Sequence, residues 1–289
     1  MKTRQTYWYK IIITLPAQYE EEASARLVAL GSNGVWVEEE KGSVHLKVFF
    51  PGDLSQMEII KSIRKTLTTL IPQKKISIAS EQLPEEQWQT AWQKHSIPRQ
   101  KIGKKLLVIP PWEKIEKKHT KRKVITLSPG MAFGTGTHGT TRTCLIFLEE
   151  VLTKGKTKVM LDVGTGSGIL AIAGAKLGIS QITAVENDPV ALKAAKENAK
   201  ENRVSPKINF RKTISRQKTF SIVTANISAV TLRQLENKLS KVVSQRGYLI
   251  LSGLLKEEYK EIFLLYGKFF SLIQTKQKNG WVTLLLRKK

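Results

Sequence analysis

Residues 158–178 read KVMLDVGTGSGILAIAGAKLG. A short apolar run ends on an acid and passes at once into Gly164-Thr165-Gly166-Ser167-Gly168, and a segment with apolar residues at helical spacing follows. This is the pattern of a first strand, a tight turn and a first helix. Glycines at that turn let backbone atoms approach a nucleotide-like ligand at the carboxyl edge of a parallel sheet.

The alternation continues downstream. QITAVEND, KINFRKT, FSIVTANI and GYLILSGLL read as strands, with PVALKAAKENAKEN and AVTLRQLENKLSKVVSQ as helices between them. Two closing strands, near Phe269–Gln277 and Trp281–Leu286, are expected to run antiparallel. The fold class expected is α/β, a Rossmann-like doubly wound sheet.

Upstream the order differs. YWYKIIITL, a helix over 18–31, a hairpin made of VWVEEE and VHLKVFF, a helix capped by Asp53 or Ser55, and a strand over 74–83 give β-α-β-β-α-β. That is the split, ferredoxin-like unit, an α+β module whose order alone assigns no function. Pro84 opens a linker helix, EEQWQTAWQKHS, with Trp88 and Trp92 one turn apart and expected to pack on a neighbouring domain. The expected boundaries are 1–80 for the ferredoxin-like domain, 81–100 for the linker helix and 101–289 for the Rossmann-like domain.

The chemistry of the glycine turn is selective. It is GxGxG rather than GxGxxG, since Ile169 occupies the place where a dinucleotide fingerprint needs Gly or Ala, and no Lys follows in P-loop register. Asp162, just before the turn, is a poor neighbour for phosphate and a good one for a cation. A ligand with a ribose, an ammonium group and a sulfonium centre suits it. Glu186 ends the next strand, where a carboxylate accepts from ribose hydroxyls. Asp188 is expected to cap the helix that Pro189 starts.

Composition narrows the setting. One cysteine, Cys144, excludes an internal disulfide framework, no Cys/His cluster has zinc spacing, and the lone thiol on an apolar helix face reads as core in a reducing cytoplasm. No apolar run reaches the roughly 18 to 20 residues of a membrane span. The net charge of +24 divides as +3 over residues 1–75, +6 over 76–127 and +15 over 128–289. An excess concentrated in the second half fits work beside a polyanion such as RNA or a ribonucleoprotein as well as it fits a solvated lysine-rich surface. No long heptad or apolar stripe speaks against a monomer.

LDVGTGSGILAIAGAKLG followed by VENDPVALKAAKENAKEN resembles the motifs of S-adenosylmethionine-dependent methyltransferases with a Rossmann-like sheet. PGMAFGTGTHGTTRTCL, TANIS, EEQWQTAWQKH and VIPPWE narrow the resemblance to the PrmA family, which methylates the eleventh protein of the large ribosomal subunit. The resemblance spans nearly the whole chain. It implies protein N-methylation at lysine side-chain and N-terminal amines, with the N-terminal domain recognising the ribosomal protein. It carries over Thr141, Gly164, Glu186 and Asn226 as cofactor residues, Asn226 lying beside the methyl-transfer site; Asp162 and Gly166 join them from the turn's geometry.

Asn226 ends FSIVTAN on the same edge as Gly164 and Glu186. Its amide oxygen can accept from an attacking amine. Methyl transfer is one displacement, so positioning supplies much of the acceleration and no metal is needed. The amine must be neutral, and an unperturbed lysine titrates near about 10.4. Three residues depart from the family pattern: Gly139 stands where Pro is usual, Glu186 where Asp is typical and Ser221 where an acid often follows the aromatic. His138 is expected to order its loop rather than act as a base.

The competing readings are an RNA methyltransferase of the same fold and a protein that binds the cofactor without catalysis. Enzymes of this class that methylate planar nitrogens carry Asn or Asp, Pro-Pro and an aromatic. Asn226-Ile227-Ser228-Ala229 offers neither prolines nor a ring on which a flipped base would stack.

Overall fold

The computed structural model describes residues 7–32, 35–40, 42–84, 99–115, 121–128, 138–154, 159–215 and 219–289. The chain divides into two compact units, one within Met1–Ser96 and the other within Ile97–Ser128 and Ala132–Lys289.

The first unit contains β1 (Tyr7–Pro16), α1 (Glu20–Ala29), β2 (Val35–Glu40), β3 (Ser43–Pro51), α2 (Gln56–Thr68) and β4 (Ser77–Pro84). Its sheet has the order β2-β3-β1-β4 and every pair is antiparallel. In β1 the period of two buries Tyr9, Ile11, Ile13 and Leu15. Ile59, Ile63 and Leu67, one turn apart along α2, close the same core. Ser55 is the residue that caps α2, its hydroxyl accepting from the Glu58 N–H. Residues 81–84, which the expected domain bounds give to the linker although the expected strand runs to 83, belong to β4, where Lys10 pairs with Glu81 across the sheet. The linker helix EEQWQTAWQKHS lies outside the described residues.

The second unit opens with a small sheet of β5 (Gln100–Ile102), β6 (Leu106–Ile109) and β7 (Lys123–Thr126). It continues with α3 (Gly139–Lys154), β8 (Val159–Val163), α4 (Ile169–Lys176), β9 (Gln181–Val185), α5 (Pro189–Glu201), β10 (Ile208–Arg211) and β11 (Phe220–Asn226). It ends with α6 (Ala229–Val242), β12 (Val243–Leu255), α7 (Tyr259–Gly267), β13 (Phe270–Lys278) and β14 (Trp281–Lys288).

Seven strands form one sheet in the order β10-β9-β8-β11-β12-β14-β13. The first five are parallel and the closing hairpin is antiparallel. Both faces are covered, so successive residues of one strand enter different cores: Met160 and Ile222 join Cys144, Phe147 and Ile172 on one side, Leu161 and Val223 join Leu232 and Ile262 on the other. The chain leaves β8 toward β9 on one side and returns as β11 on the other. A crevice at the carboxyl ends of β8 and β11 follows from that reversal.

Candidate active site

Gly164 follows the last residue of β8. Gly164, Gly166 and Gly168 have φ of 67°, 53° and 83°, a region that side chains rarely adopt. The Gly164 and Thr165 N–H groups both donate to the Val185 carbonyl, at 2.9 and 3.0 Å, which fastens the turn to the end of β9. A Cβ on Gly164 would run into Ile227 Cγ2, so turn and post-β11 segment meet with no room for a side chain.

Asp162 is placed differently from the expectation that it neighbours a ligand cation. It is fully buried beneath the turn. Its Oδ2 accepts from the Thr165 hydroxyl and its Oδ1 from the Thr224 hydroxyl, both at 2.6 Å. The carboxylate therefore braces the glycine turn from inside and presents neither oxygen to the crevice. Burial pushes its pKa up to about 6, against the pull of the two hydroxyls.

A raised folded-state pKa means that the folded chain holds this proton where the unfolded chain has lost it. Stability from Asp162 is thus gained as pH falls through about 6 and is complete below the ordinary value of 3.8. Thermal unfolding of Asp162→Asn and the parent, scanned from pH 4 to 7, should show the variant's relative Tm rising with pH. A pH-independent difference would remove the buried carboxylate from this role.

Glu186, at the end of β9, is half-buried. Its Oε1 accepts from the N–H groups of Asn187 and Asp188 at 2.9 and 3.1 Å, and its Oε2 from the Gly166 N–H at 3.0 Å. Oε2 holds one donor and keeps acceptor capacity for a hydroxyl. Asp188 caps α5 as expected, accepting from the Val190 N–H at 2.8 Å.

Asn226 closes β11 on the same edge. Its Nδ2 donates to Thr140 Oγ1 at 3.2 Å and to Thr141 Oγ1 at 3.4 Å, both buried in the first turn of α3. The amide orientation is fixed through His138. The Thr140 N–H points at His138 Nδ1, at 3.4 Å, so Nδ1 is an acceptor. The Thr140 hydroxyl then donates to Nδ1 at 2.7 Å and leaves its lone pairs to Asn226. With Nδ2 committed inward, Asn226 Oδ1 is the atom left for an incoming N–H.

Burial lowers the His138 pKa to about 4, so the ring is neutral at physiological pH and too weak a base for an ammonium. Its ring stands edge-on to Trp281 at 5.2 Å. Cys144 is buried in the α3 core, and burial raises its thiol to about 12, which fits packing rather than nucleophilic chemistry.

A second line of hydroxyls lies under the start of α3. Thr143 Oγ1 donates to the carbonyls of Gly139 and Thr140, Thr283 of β14 lies 2.6 Å from it, and Ser252 of β12 lies 2.6 Å from Thr283.

The structure thus gathers Thr141, Gly164, Gly166, Glu186 and Asn226 at one edge and sets Asp162 behind them. The loop AFGTGT, residues 132–137, lies outside the described residues. Thr140, Thr224 and the Thr143–Thr283–Ser252 line were missed as site residues. Their one signal is the Thr-rich start of α3, which does not name their partners.

The edge suits a nucleoside better than a phosphate. Glu186 Oε2, beside the Gly166 N–H, can take a ribose hydroxyl, and residues 163–168 contain no lysine or arginine to draw a phosphate.

The family model described as ribosomal protein L11 methyltransferase (PrmA) matches residues 7–289. Similar proteins include the ribosomal protein L11 methyltransferases of Caldanaerobacter subterraneus subsp. tengcongensis, 31% identical across 98% of this chain and 99% of that one, and of Streptococcus uberis, 32% identical across 97% and 96%. The crystal structure of a ribosomal protein L11 methylase from Lactobacillus delbrueckii subsp. bulgaricus superimposes with a TM-score of 0.61 at 30% identity, covering 66% of this chain and 98% of that one.

Proposed function

This chain belongs to the ribosomal protein L11 methyltransferase (PrmA) family, and from that membership we infer that it transfers methyl groups from S-adenosylmethionine to amines of ribosomal protein L11. The observation that carries the reading at the site is the committed Nδ2 of Asn226, which leaves one oxygen acceptor at the carboxyl edge, beside the glycine turn.

The cofactor supplies an electrophilic methyl group on a sulfonium centre. Gly164 and Gly166 form its floor, Glu186 takes a ribose hydroxyl, and Thr141 lines the wall next to Asn226. Asp162 serves the site by holding Thr165 and Thr224, and so the shape of the turn. Asn226 Oδ1 accepts an N–H of the neutral acceptor amine and directs its lone pair at the methyl carbon; no residue of the chain forms a covalent bond. Lysine side chains and the N-terminal amine fit this single acceptor, whereas a planar base would find Ile227 where a stacking ring is needed.

The same reading assigns substrate recognition to the ferredoxin-like unit, treats the protein as a cytoplasmic monomer and lets the basic surface touch ribosomal RNA weakly. Among the described residues no helix is long and apolar enough to cross a membrane. Incubation with methyl-labelled cofactor and, in parallel, free L11 or naked ribosomal RNA should place the label on L11. Label on RNA alone would overturn the protein reading, and cofactor binding without label on either would make the chain a binding protein.

A further inference from the structure

At the amino ends of the sheet, opposite the edge just described, lies a cavity of about 430 Å³ ringed by five cations: Arg122, Lys123, Lys176, Arg203 and Lys207. They come from the start of β7, the last turn of α4, the residue after the α5 cap, and the turn before β10. Among the described residues none of the five has a carboxylate within ion-pair distance.

The ordinary explanation for such a ring is that it neutralises helix ends. Two helices, α4 and α5, terminate here, and each C-terminus is equivalent to about half a negative charge. That accounts for about one cation of five. The groups acting on Lys176 are burial and the like charges of Arg203, Lys123 and Lys207, which together lower its pKa. Arg122 is already anchored, its Nη1 donating to the carbonyls of Gly103 and Leu106 at 3.1 and 2.8 Å, and its remaining N–H groups are left for a ligand.

Arg203 adds an independent observation. It has φ 57° just past the end of α5, where the Val204 N–H returns to the Ala199 carbonyl at 3.0 Å and the Arg203 N–H to that of Lys200 at 2.9 Å. This is the left-handed position that glycine or asparagine usually fills. Arginine there costs stability and places a cation on the cavity.

Lys207 also lines a second cavity, of about 690 Å³, along the starts of β8, β9, β10 and β11, whose polar lining includes Ser180, Thr183 and Asn209. The five cations can meet successive backbone phosphates, and the hydroxyl and amide groups of the neighbouring cavity offer hydrogen bonds to the sugars and bases of the same strand.

We propose that the Arg122–Lys123–Lys176–Arg203–Lys207 cavity and its polar neighbour form a binding site for single-stranded RNA. This rests on the reading that the basic surface meets ribosomal RNA and gives that contact a location. The five residues of β8 separate this edge from the cofactor edge by roughly 16 Å. RNA held here leaves the cofactor crevice open.

The test uses the full chain, without cofactor or L11, and a labelled 20-nucleotide single-stranded RNA read by anisotropy across a salt series. Neutralising Lys176, Arg203 and Lys207 together to Gln should weaken binding at least about tenfold at 0.1 M salt and reduce the salt slope by about 2. Neutralising Lys241, Lys260 and Lys268 on the same unit should leave both within about twofold. Arg203→Gly alone should weaken RNA binding while holding or raising Tm; a merely structural arginine would leave RNA binding unchanged.

Methylation of free L11 should be unaltered in all of these variants, so a failed RNA site and a failed methyltransferase reading are distinguishable. Equal losses in the two triple variants would overturn the site and leave only diffuse charge. So would displacement of the RNA by millimolar inorganic phosphate, or equal binding of an acidic peptide. Absence of RNA binding at 0.1 M salt would overturn the site and the RNA contact together.

Discussion

Asn226→Ala should lower turnover on L11 by on the order of a hundredfold, the cost of losing placement of a reacting atom by about an ångström. The dissociation constant for S-adenosylmethionine, read by calorimetry, should stay within about twofold, because the groups assigned to ribose lie on β9 and the glycine turn. The separation follows from the hydrogen bonds. Asn226 is tied to Thr140 and Thr141, whereas Glu186 is tied to Gly166, Asn187 and Asp188. Equal loss of turnover and of cofactor affinity would mean that Asn226 shapes the crevice as a whole.

Removal of residues 1–96 should cut methylation of L11 by at least about a hundredfold, the equivalent of roughly 3 kcal/mol of recognition. Cofactor binding should persist, since the second unit has its own seven-stranded sheet and two buried cores. The cut belongs after Ser96 rather than near residue 75. β4 pairs with β1 alone, from Tyr7–Pro84 to Thr14–Ser77, so an earlier cut strands an unpaired strand edge on the truncated protein. Retained methylation, measured against the full chain at matched cofactor occupancy, would assign recognition to the second unit.

The elements were legible wherever apolar period and turn chemistry agreed. KVMLD running into three glycines marked the first strand, turn and helix, and the hairpin of VWVEEE and VHLKVFF marked the ferredoxin-like order. β5 escaped because Gln100–Ile102 is too short to display a period. Asp162 was placed at the right turn but on the wrong side. In a sheet covered on both faces, alternation distributes residues between two cores and does not tell which polar side chain reaches the crevice. Asn226 was legible as the end of a strand on the ligand edge. Its partner Thr140 was not, since a contact across 86 residues leaves no periodic trace. The five cations of the amino edge come from three separate stretches of sequence and met only in the fold.

The direction of each hydrogen bond around Asn226 also limits where a proton can travel. From Asn226 through Thr140 to His138 every hydrogen is already committed one way, and the amide at its head cannot take up another. The line is a clamp and not a conduit. A proton shed by the acceptor amine therefore does not leave along this line, and the pH dependence of methyl transfer is expected not to report the ionisation of His138.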